Sequence, residues 1–293
     1  MNLVLTVLQI VAPVFLLGAI GFAWVKLGFE YRVAFVTRMA MTLAVPCLIF
    51  VALMKTEIEP AALTTVSIAT IVAYGAVTLA CLAVVKFNNL ERRTYLAPLI
   101  FGNTGNLGLP LALFAFGDTG LGYAVVIFAI MAIYSFTVGI WLVSGGGSVT
   151  KVLKEPLVAA TVLGGIFLWQ DWQTPVWITN TLELIGQMAI PLMLITLGVA
   201  VARLRPGGMM RAFWISGVKM AICISIAWTL GIWFELPPVP FAVLVLQIST
   251  PVAVTSYLLA EKYGADSDAV AGLVVASTLL SVITIPVTLA FLL

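Results

Sequence analysis

Residues 101–110 read Phe101-Gly-Asn-Thr-Gly-Asn-Leu-Gly-Leu-Pro110 and lie inside an otherwise apolar stretch of the chain. Glycine weakens a helix, and proline removes a hydrogen-bond donor and clashes with the preceding turn. An uninterrupted helix is therefore not expected at this point. In a membrane, polar backbone at this depth is tolerated only against protein or a water-filled cavity. The stretch predicts a broken helix that lines such a cavity.

The composition of the whole chain indicates a membrane setting. Of the 293 residues, 62% are hydrophobic and 9% are charged, and the mean hydropathy is +1.18. So few charged groups could not cover the surface of a soluble globule, so most of that surface must face lipid. The net charge of +2 is too small to indicate nucleic acid as a partner. Membrane lipid and a small-molecule substrate are the partners we expect.

Apolar stretches long enough to cross a membrane recur along the chain. A crossing helix needs about 20 residues. The first stretch has no basic region before it and no small-residue cleavage site behind it, and we interpret it as a span rather than a signal peptide. We predict ten spans, at residues 3–25, 34–54, 61–85, 95–116, 120–143, 157–170, 177–202, 211–234, 239–260 and 269–292.

The positions of the basic residues orient these spans. Cytoplasmic connections hold most of the Lys and Arg residues in membrane proteins. Thirteen of the fourteen basic residues flank odd-numbered connections, and only Lys55 falls on the other side. A missed span would reverse the side of the membrane assigned to every later connection, and the basic residues would then no longer fall on one side. The pattern therefore favours a protein of the cell inner membrane with both termini on the outer, periplasmic side. The thirteen residues are Lys26, Arg32, Arg38, Lys86, Arg92, Arg93, Lys151, Lys154, Arg203, Arg205, Arg211, Lys219 and Lys262.

The two halves of the chain share a layout. Pro46 and Pro110 are 64 residues apart in the first half, and Pro191 and Pro251 are 60 residues apart in the second. Five spans per half is an odd number, so the second copy must enter the membrane upside down. This is an inverted repeat, which is common in secondary transporters. The predicted units of this all-α protein are a five-helix repeat at residues 1–143, a short cytoplasmic linker at 144–156 and an inverted five-helix repeat at 157–293.

The ninth span repeats the interruption of the fourth. It reads Gln247-Ile-Ser-Thr-Pro251-Val-Ala-Val-Thr255, with polar side chains just ahead of the proline. Proline suits the first turn of a helix. We therefore expect Pro110 and Pro251 to open second half-helices whose free N–H groups face the membrane centre. The two positive helix ends should meet there as an anion site, with no basic side chain beside them.

These motifs resemble the auxin efflux carrier (PIN-like) family, whose broader relatives include bile acid:sodium symporters. The matching pieces are Asn103-Thr-Gly-Asn-Leu-Gly-Leu-Pro110, Ser249-Thr-Pro-Val-Ala-Val254 with Tyr263-Gly264, and Ser277-Thr-Leu-Leu-Ser281 before Thr284-Ile-Pro286. The resemblance implies a scaffold and a transport domain, with broken fourth and ninth helices that cross beside a bound organic anion. From the resemblance and the two interruptions together, the candidate substrate-binding residues are Asn103, Thr104, Gly105, Asn106, Pro110, Gln247, Ser249, Thr250 and Pro251.

The sequence does not identify a coupling ion. The chain has no histidine, and no Asp or Glu lies at the centre of a predicted span, so the usual marks of a proton relay are missing. Glu183, near the outer end of the seventh span, is the deepest acid, and we interpret it as interfacial. A sodium site built from carbonyls and hydroxyls such as Thr104 or Ser249 stays open. No cofactor or structural metal is expected.

The residues bear on several classes of function. The favoured class is a carrier of small organic anions such as carboxylates, with efflux as the expected direction, and the alternative is a sodium-coupled symporter. A channel or receptor on the same fold stays open because fold does not fix function. An enzyme is not expected, because the lack of histidine excludes an HExxH zinc site and a Ser/His dyad. The sequence leaves a homodimer open.

The predicted orientation can be tested by fusing reporters to the carboxyl terminus in a bacterial host. Alkaline phosphatase is active only outside the inner membrane, whereas green fluorescent protein exported in unfolded form does not fluoresce there. We expect an active phosphatase fusion and a dark fluorescent-protein fusion. A bright fusion with inactive phosphatase would place that terminus in the cytoplasm and contradict the charge-based orientation.

Overall fold

The computed structural model of the chain describes residues 3–55, 58–144, 156–204 and 206–293. These residues form helices and loops, with one isolated β-bridge. The predicted linker lies almost wholly outside the described residues, as do Lys151, Lys154 and Arg205. The helices are α1 (Leu3–Lys26), α2 (Val33–Met54), α3 (Pro60–Phe87), α4 (Arg92–Ile100), α5 (Thr104–Val143), α6 (Pro156–Trp169), α7 (Val176–Arg203), α8 (Met209–Trp233), α9 (Pro238–Ile248), α10 (Val254–Tyr263) and α11 (Ser267–Leu292).

Length and hydropathy identify which described helices can cross a membrane. Seven are long and apolar enough, namely α1, α2, α3, α5, α7, α8 and α11, and α6 and α9 contain shorter apolar helices. The pieces α4, α9 and α10 have only 9, 11 and 10 residues, so none could cross alone. The protein is thus a multi-pass helical membrane protein, and the count of ten spans remains a prediction.

The long helix α5 is bent sharply. Gly117 has non-helical backbone angles, φ 62° and ψ −156°, and divides the helix into two pieces. A positive φ is readily adopted by glycine because it has no Cβ. The bend falls between the predicted spans 95–116 and 120–143, where the sequence leads us to expect a turn. Two wider, π-helical turns also lie in α5, at Thr104–Gly108 and Ser135–Gly139.

The helices pack in two groups. In the first group, α1 lies along the second part of α7, while α2 packs against α6 and α7. In the second group, α8 packs against α3, α9 and α11, and α5 packs against α9. Each group draws helices from both halves of the chain. The two interrupted pairs, α4 with α5 and α9 with α10, are held in the second group.

Contacts near the helix ends define two ends of this bundle, which we call the basic end and the acidic end. At the basic end, Arg93 donates to the carbonyl of Tyr263 at 3.0 Å, and Arg203 donates to that of Tyr31 at 2.6 Å. At the acidic end, Lys55 after α2 forms an ion pair with Glu183 of α7. Glu183, which we interpret from the sequence as interfacial, is therefore paired with Lys55, the one basic residue outside the odd-numbered connections.

Glycines bring α1 and α7 into backbone contact. A Cβ at Gly198 would overlap the carbonyl oxygen of Gly18, and one at Gly21 would overlap that of Ile195. Small residues at such a contact allow two membrane helices to pack closely. At these glycine positions the two helices lie so close that even a Cβ would not fit.

We expect Gly198→Ala to destabilise the protein, because the new methyl group must push two helix backbones apart. Overpacking of this kind costs about 1–3 kcal/mol. Gly165→Ala in α6 is the matched control, since a Cβ there meets nothing within 4 Å. Thermal unfolding in detergent should show a clear drop for Gly198→Ala and no drop for the control. Equal melting temperatures for the two variants would contradict the backbone contact.

Candidate functional site at the crossing of two interrupted helices

The two interruptions meet and pair through their backbones. Residues 101–103 separate α4 from α5, residues 249–253 separate α9 from α10, and Gly102 and Val252 form an antiparallel bridge. The N–H of Asn103 donates to the carbonyl of Pro251 at 2.7 Å, and the N–H of Ala253 donates to that of Phe101 at 3.3 Å. Each break thus supplies a carbonyl that accepts a hydrogen bond from an N–H of the other break, inside an apolar bundle that offers few other partners.

Glycine at position 102 is what permits this approach. A Cβ there would overlap the hydroxyl of Thr250 and lie 3.0 Å from its carbonyl oxygen. The side chain of Thr250 is itself fixed, because its hydroxyl donates to the carbonyl of Gln247 at 2.7 Å. A side chain at position 102 would therefore force the two segments apart.

Two side chains from neighbouring helices hold the second break. The hydroxyl of Ser277 in α11 accepts from the N–H of Val252 at 2.9 Å. The ammonium of Lys219 in α8 donates to the carbonyl of Thr250 at 2.8 Å. The crossing, defined here as residues 101–103 with residues 249–253, is thus bonded to α8 and α11 as well as to itself.

The position of Lys219 corrects the expectation that no basic side chain lies beside the crossing. Charge counting treats Lys219 as a residue that flanks a cytoplasmic connection, but its side chain is only 1% exposed, near the middle of the 25-residue helix α8. The sequence does contain a signal for this position, because Lys219 lies well inside the predicted span 211–234 and not at its end. A charged residue so far inside an apolar span usually marks a functional position.

The two prolines differ in their relation to the helices that follow the breaks. Pro110 lies in the first turn of the α-helical part of α5, but the π-helical turn Thr104–Gly108 runs directly into it. The chain is therefore already helical before Pro110. Pro251 lies in the second break, three residues before Val254, where its carbonyl accepts the bridge hydrogen bond. Pro110 thus lies at the start of the α-helical part of α5, as the sequence predicts, whereas the prediction that Pro251 opens a helix is wrong.

Polar atoms without a partner surround the crossing. The side-chain nitrogen of Asn103, the hydroxyl of Thr104 and both amide atoms of Gln247 are buried and make no hydrogen bond. Leaving such a group unsatisfied costs about 1–3 kcal/mol. A native protein keeps such groups where a ligand or water meets them. By contrast, Ser249 donates to the carbonyl of Leu246 at 3.2 Å and caps α9.

The helices that follow the breaks begin without side-chain caps. Asn103 precedes the first turn of α5 and Ala253 precedes α10, and neither makes a capping hydrogen bond. The first N–H groups of a helix have no partner within it, and they carry a partial positive charge. Two uncapped helix ends beside unpartnered Asn103 and Thr104 are suited to a small anion.

Two cavities lie on opposite sides of the level of Pro46 and Pro191. Towards the basic end, a narrow crevice of about 50 Å³ between α2, α5, α7 and α10 is lined by residues that include Asn106 and Thr255. Towards the acidic end, a vestibule of about 450 Å³ lies between α2, α7 and the Gly117 bend, and Lys55, Asp118 and Glu183 line it. Asn106 is thus a crevice residue.

Gly105 and several polar side chains of the bundle pack or bond locally. Gly105 lies against the Phe128 ring, where a Cβ would come within 2.9 Å. Tyr134 shares a hydrogen bond of 3.0 Å with Thr78 and packs against Phe101. Three hydroxyls of the last helix bond their own backbone, namely those of Ser277, Thr278 and Ser281. Among these hydroxyls, that of Ser277 also accepts the hydrogen bond from Val252 that holds the crossing.

A comparison with protein families decides what kind of protein has this crossing. The family model described as "Membrane transport protein" matches residues 6–152 and again residues 143–289, once for each half of the chain. The chain belongs to this membrane transport protein family. The result confirms the resemblance to auxin efflux carriers, and two matches are what an internal repeat produces. Membership of a transport family also favours a carrier over an enzyme.

Individual relatives of this membrane transport protein carry transporter names. An uncharacterized transporter of Methanothermobacter thermautotrophicus is 29% identical over 191 residues, which are 63% of each chain. A protein of Rhizobium meliloti named "Putative malonate transporter" is 26% identical over 202 residues, 63% of this chain and 62% of its own. An uncharacterized transporter of Methanocaldococcus jannaschii is 27% identical over 203 residues, 64% of each chain. The chain thus spans just under two thirds of these relatives.

The bridge at Gly102 can be tested by substitution. We expect Gly102→Ala to lower the free energy of unfolding by about 1–3 kcal/mol, because the methyl group overlaps the Thr250 hydroxyl. Adding Thr250→Ala removes that hydroxyl, so the double variant should be more stable than the two separate losses predict. Gly75→Ala is the control, since a Cβ there meets nothing within 4 Å. Additive losses in thermal unfolding would show that positions 102 and 250 do not touch.

Proposed function

We propose that this protein is a secondary transporter of small organic anions that alternates access to the two sides of the membrane around the crossing. In this proposal the chain crosses the inner membrane ten times, as inverted repeats at residues 1–143 and 157–293 joined by the cytoplasmic linker 144–156. Both termini are on the periplasmic side, and efflux is the direction we expect.

The observation that carries the proposal is the pair of uncapped helix ends beside unpartnered polar groups. A carboxylate offers acceptors to the first N–H groups of α5 and α10 and to the free side-chain nitrogen of Asn103. Helix N-termini bind anions because their N–H groups converge and their dipole favours negative charge. The site therefore attracts an anion without a basic side chain having to enclose it.

The two cavities support alternating access. Both are lined by α2 and α7, and the crevice residues Met41 and Met193 lie on one side of Pro46 and Pro191, while the vestibule residue Leu48 lies on the other. A shift of the second group of helices against α2 and α7 would widen the crevice and narrow the vestibule. Such rocking about a fixed midplane site is typical of inverted-repeat transporters.

The size of the crevice favours a compact substrate. A space of about 50 Å³ must widen to admit any substrate, and a short carboxylate needs less widening than a large aromatic acid. The relative from Rhizobium meliloti carries the name of a malonate transporter. Malonate and similar short carboxylates are therefore the substrates to test first.

Counterflow in proteoliposomes tests the proposed function. Vesicles loaded with unlabelled malonate should accumulate external radiolabelled malonate transiently, because a carrier exchanges one molecule for the other. A channel or a receptor gives no such acceleration. Counterflow that is absent with malonate and with other short carboxylates would contradict the proposal.

We expect Asn103→Ala to weaken malonate binding about tenfold or more, because a hydrogen bond to a charged group contributes about 1.5–3 kcal/mol. The half-saturation concentration for counterflow is the measurement. Asn88→Ala is the matched control, since Asn88 is exposed at the basic end and bonds the carbonyl of Val84. Unchanged affinity in a well-expressed Asn103→Ala variant would remove Asn103 from the site.

A further inference from the structure

Lys219 is a charged group that the proposed anion site does not use. Its position lies about 15 Å along α8 from the start of the helix at Met209, given a rise of about 1.5 Å per residue. The side chain is 1% exposed and ranks among the largest fully buried side chains of the described residues. A lysine near a helix end can extend its ammonium to the membrane surface, but from this depth Lys219 does not do so.

No carboxylate pairs with this ammonium among the described residues, whose ion pairs are Arg32 with Glu30 and Lys55 with Glu183. Its partners are the carbonyl oxygen of Thr250 at 2.8 Å and the sulfur of Cys223 at 4.0 Å. A buried charge is retained only where it is well compensated. Here the compensation comes from backbone carbonyl at the crossing.

The first half-helices, α4 and α9, end at the crossing with their carbonyl groups. Helix α4 ends at Ile100 and α9 ends at Ile248. The last carbonyls of a helix lack the regular partners of its interior, and at the end of α9 the hydroxyls of Ser249 and Thr250 donate to those of Leu246 and Gln247. These helix ends carry partial negative charge, which a cation stabilises. The carbonyl of Thr250, just beyond the end of α9, is the atom that Lys219 contacts.

We propose that Lys219 is a tethered counter-ion for the crossing. Its ammonium neutralises the carbonyl end of α9 through Thr250, where a free cation would otherwise have to bind. The N-terminal ends of the second half-helices then stay positive and available to an anion. Lys219 is in this sense a positioning residue, and the inference concerns the crossing itself, whichever substrate the protein carries.

The proposal can be tested by replacing the tethered cation with a free one. Lys219→Ala opens a space that methylammonium can fill, since methylammonium reproduces the terminal carbon and ammonium of lysine. Lys219→Met fills the same space without a charge and serves as the matched variant. Lys86→Ala removes an exposed lysine at the basic end and controls for a change in net charge.

The measurement is the thermal unfolding of each purified protein in choline chloride and in methylammonium chloride at equal ionic strength. We expect Lys219→Ala and Lys219→Met to unfold at least about 3 °C below the wild type in choline. Methylammonium should raise the melting temperature of Lys219→Ala towards that of the wild type. It should leave Lys219→Met, Lys86→Ala and the wild type unchanged.

Wild-type melting temperatures in both Lys219 variants would overturn the proposal, and so would a methylammonium shift that is no larger for Lys219→Ala than for Lys219→Met. If the Lys219→Ala protein does not accumulate in cells, the test is made on the wild-type protein alone. Its melting temperature should be the same in sodium chloride and in choline chloride. A specific rise of more than about 3 °C with sodium would show that the crossing still requires a free cation.

Discussion

Two short stretches of non-helical backbone lie in the interior of this membrane protein, and each supplies hydrogen bonds that the other needs. The N–H of Asn103 reaches the carbonyl of Pro251, and the N–H of Ala253 reaches that of Phe101. Unpaired backbone groups at this depth would be costly, because lipid offers them no partners. The antiparallel pairing makes two broken helices possible where one alone would be unstable.

Much of the surrounding structure serves this pairing. Gly102 leaves room for Thr250, Ser277 of α11 accepts from Val252, and Lys219 of α8 donates to Thr250. These contacts explain why α8 and α11 pack in the same group as the broken helices. They also leave the first turns of α5 and α10 uncapped, beside side chains of Asn103 and Thr104 that have no partner. Structural support and the proposed ligand site thus share one crossing.

The sequence predicts the existence of the breaks better than their geometry. Glycine, asparagine and proline near residues 101–110 and 247–255 are poor helix residues in an apolar stretch, so local chemistry is sufficient to indicate an interruption. The register that pairs Gly102 with Val252 depends on how distant helices pack, which local patterns do not contain. For the same reason local patterns predict Pro251 at a helix start, although it lies within its break. Lys219 was missed because charge counting treats each basic residue near a span end as a loop residue, without asking how deep it lies.

An experimentally determined structure with a bound carboxylate such as malonate tests the central claim most directly. We predict that the chain crosses at Gly102 and Val252, with the carboxylate against the first turns of α5 and α10 and in contact with Asn103. An uninterrupted helix through residues 101–103, or a carboxylate bound away from the crossing, would contradict it.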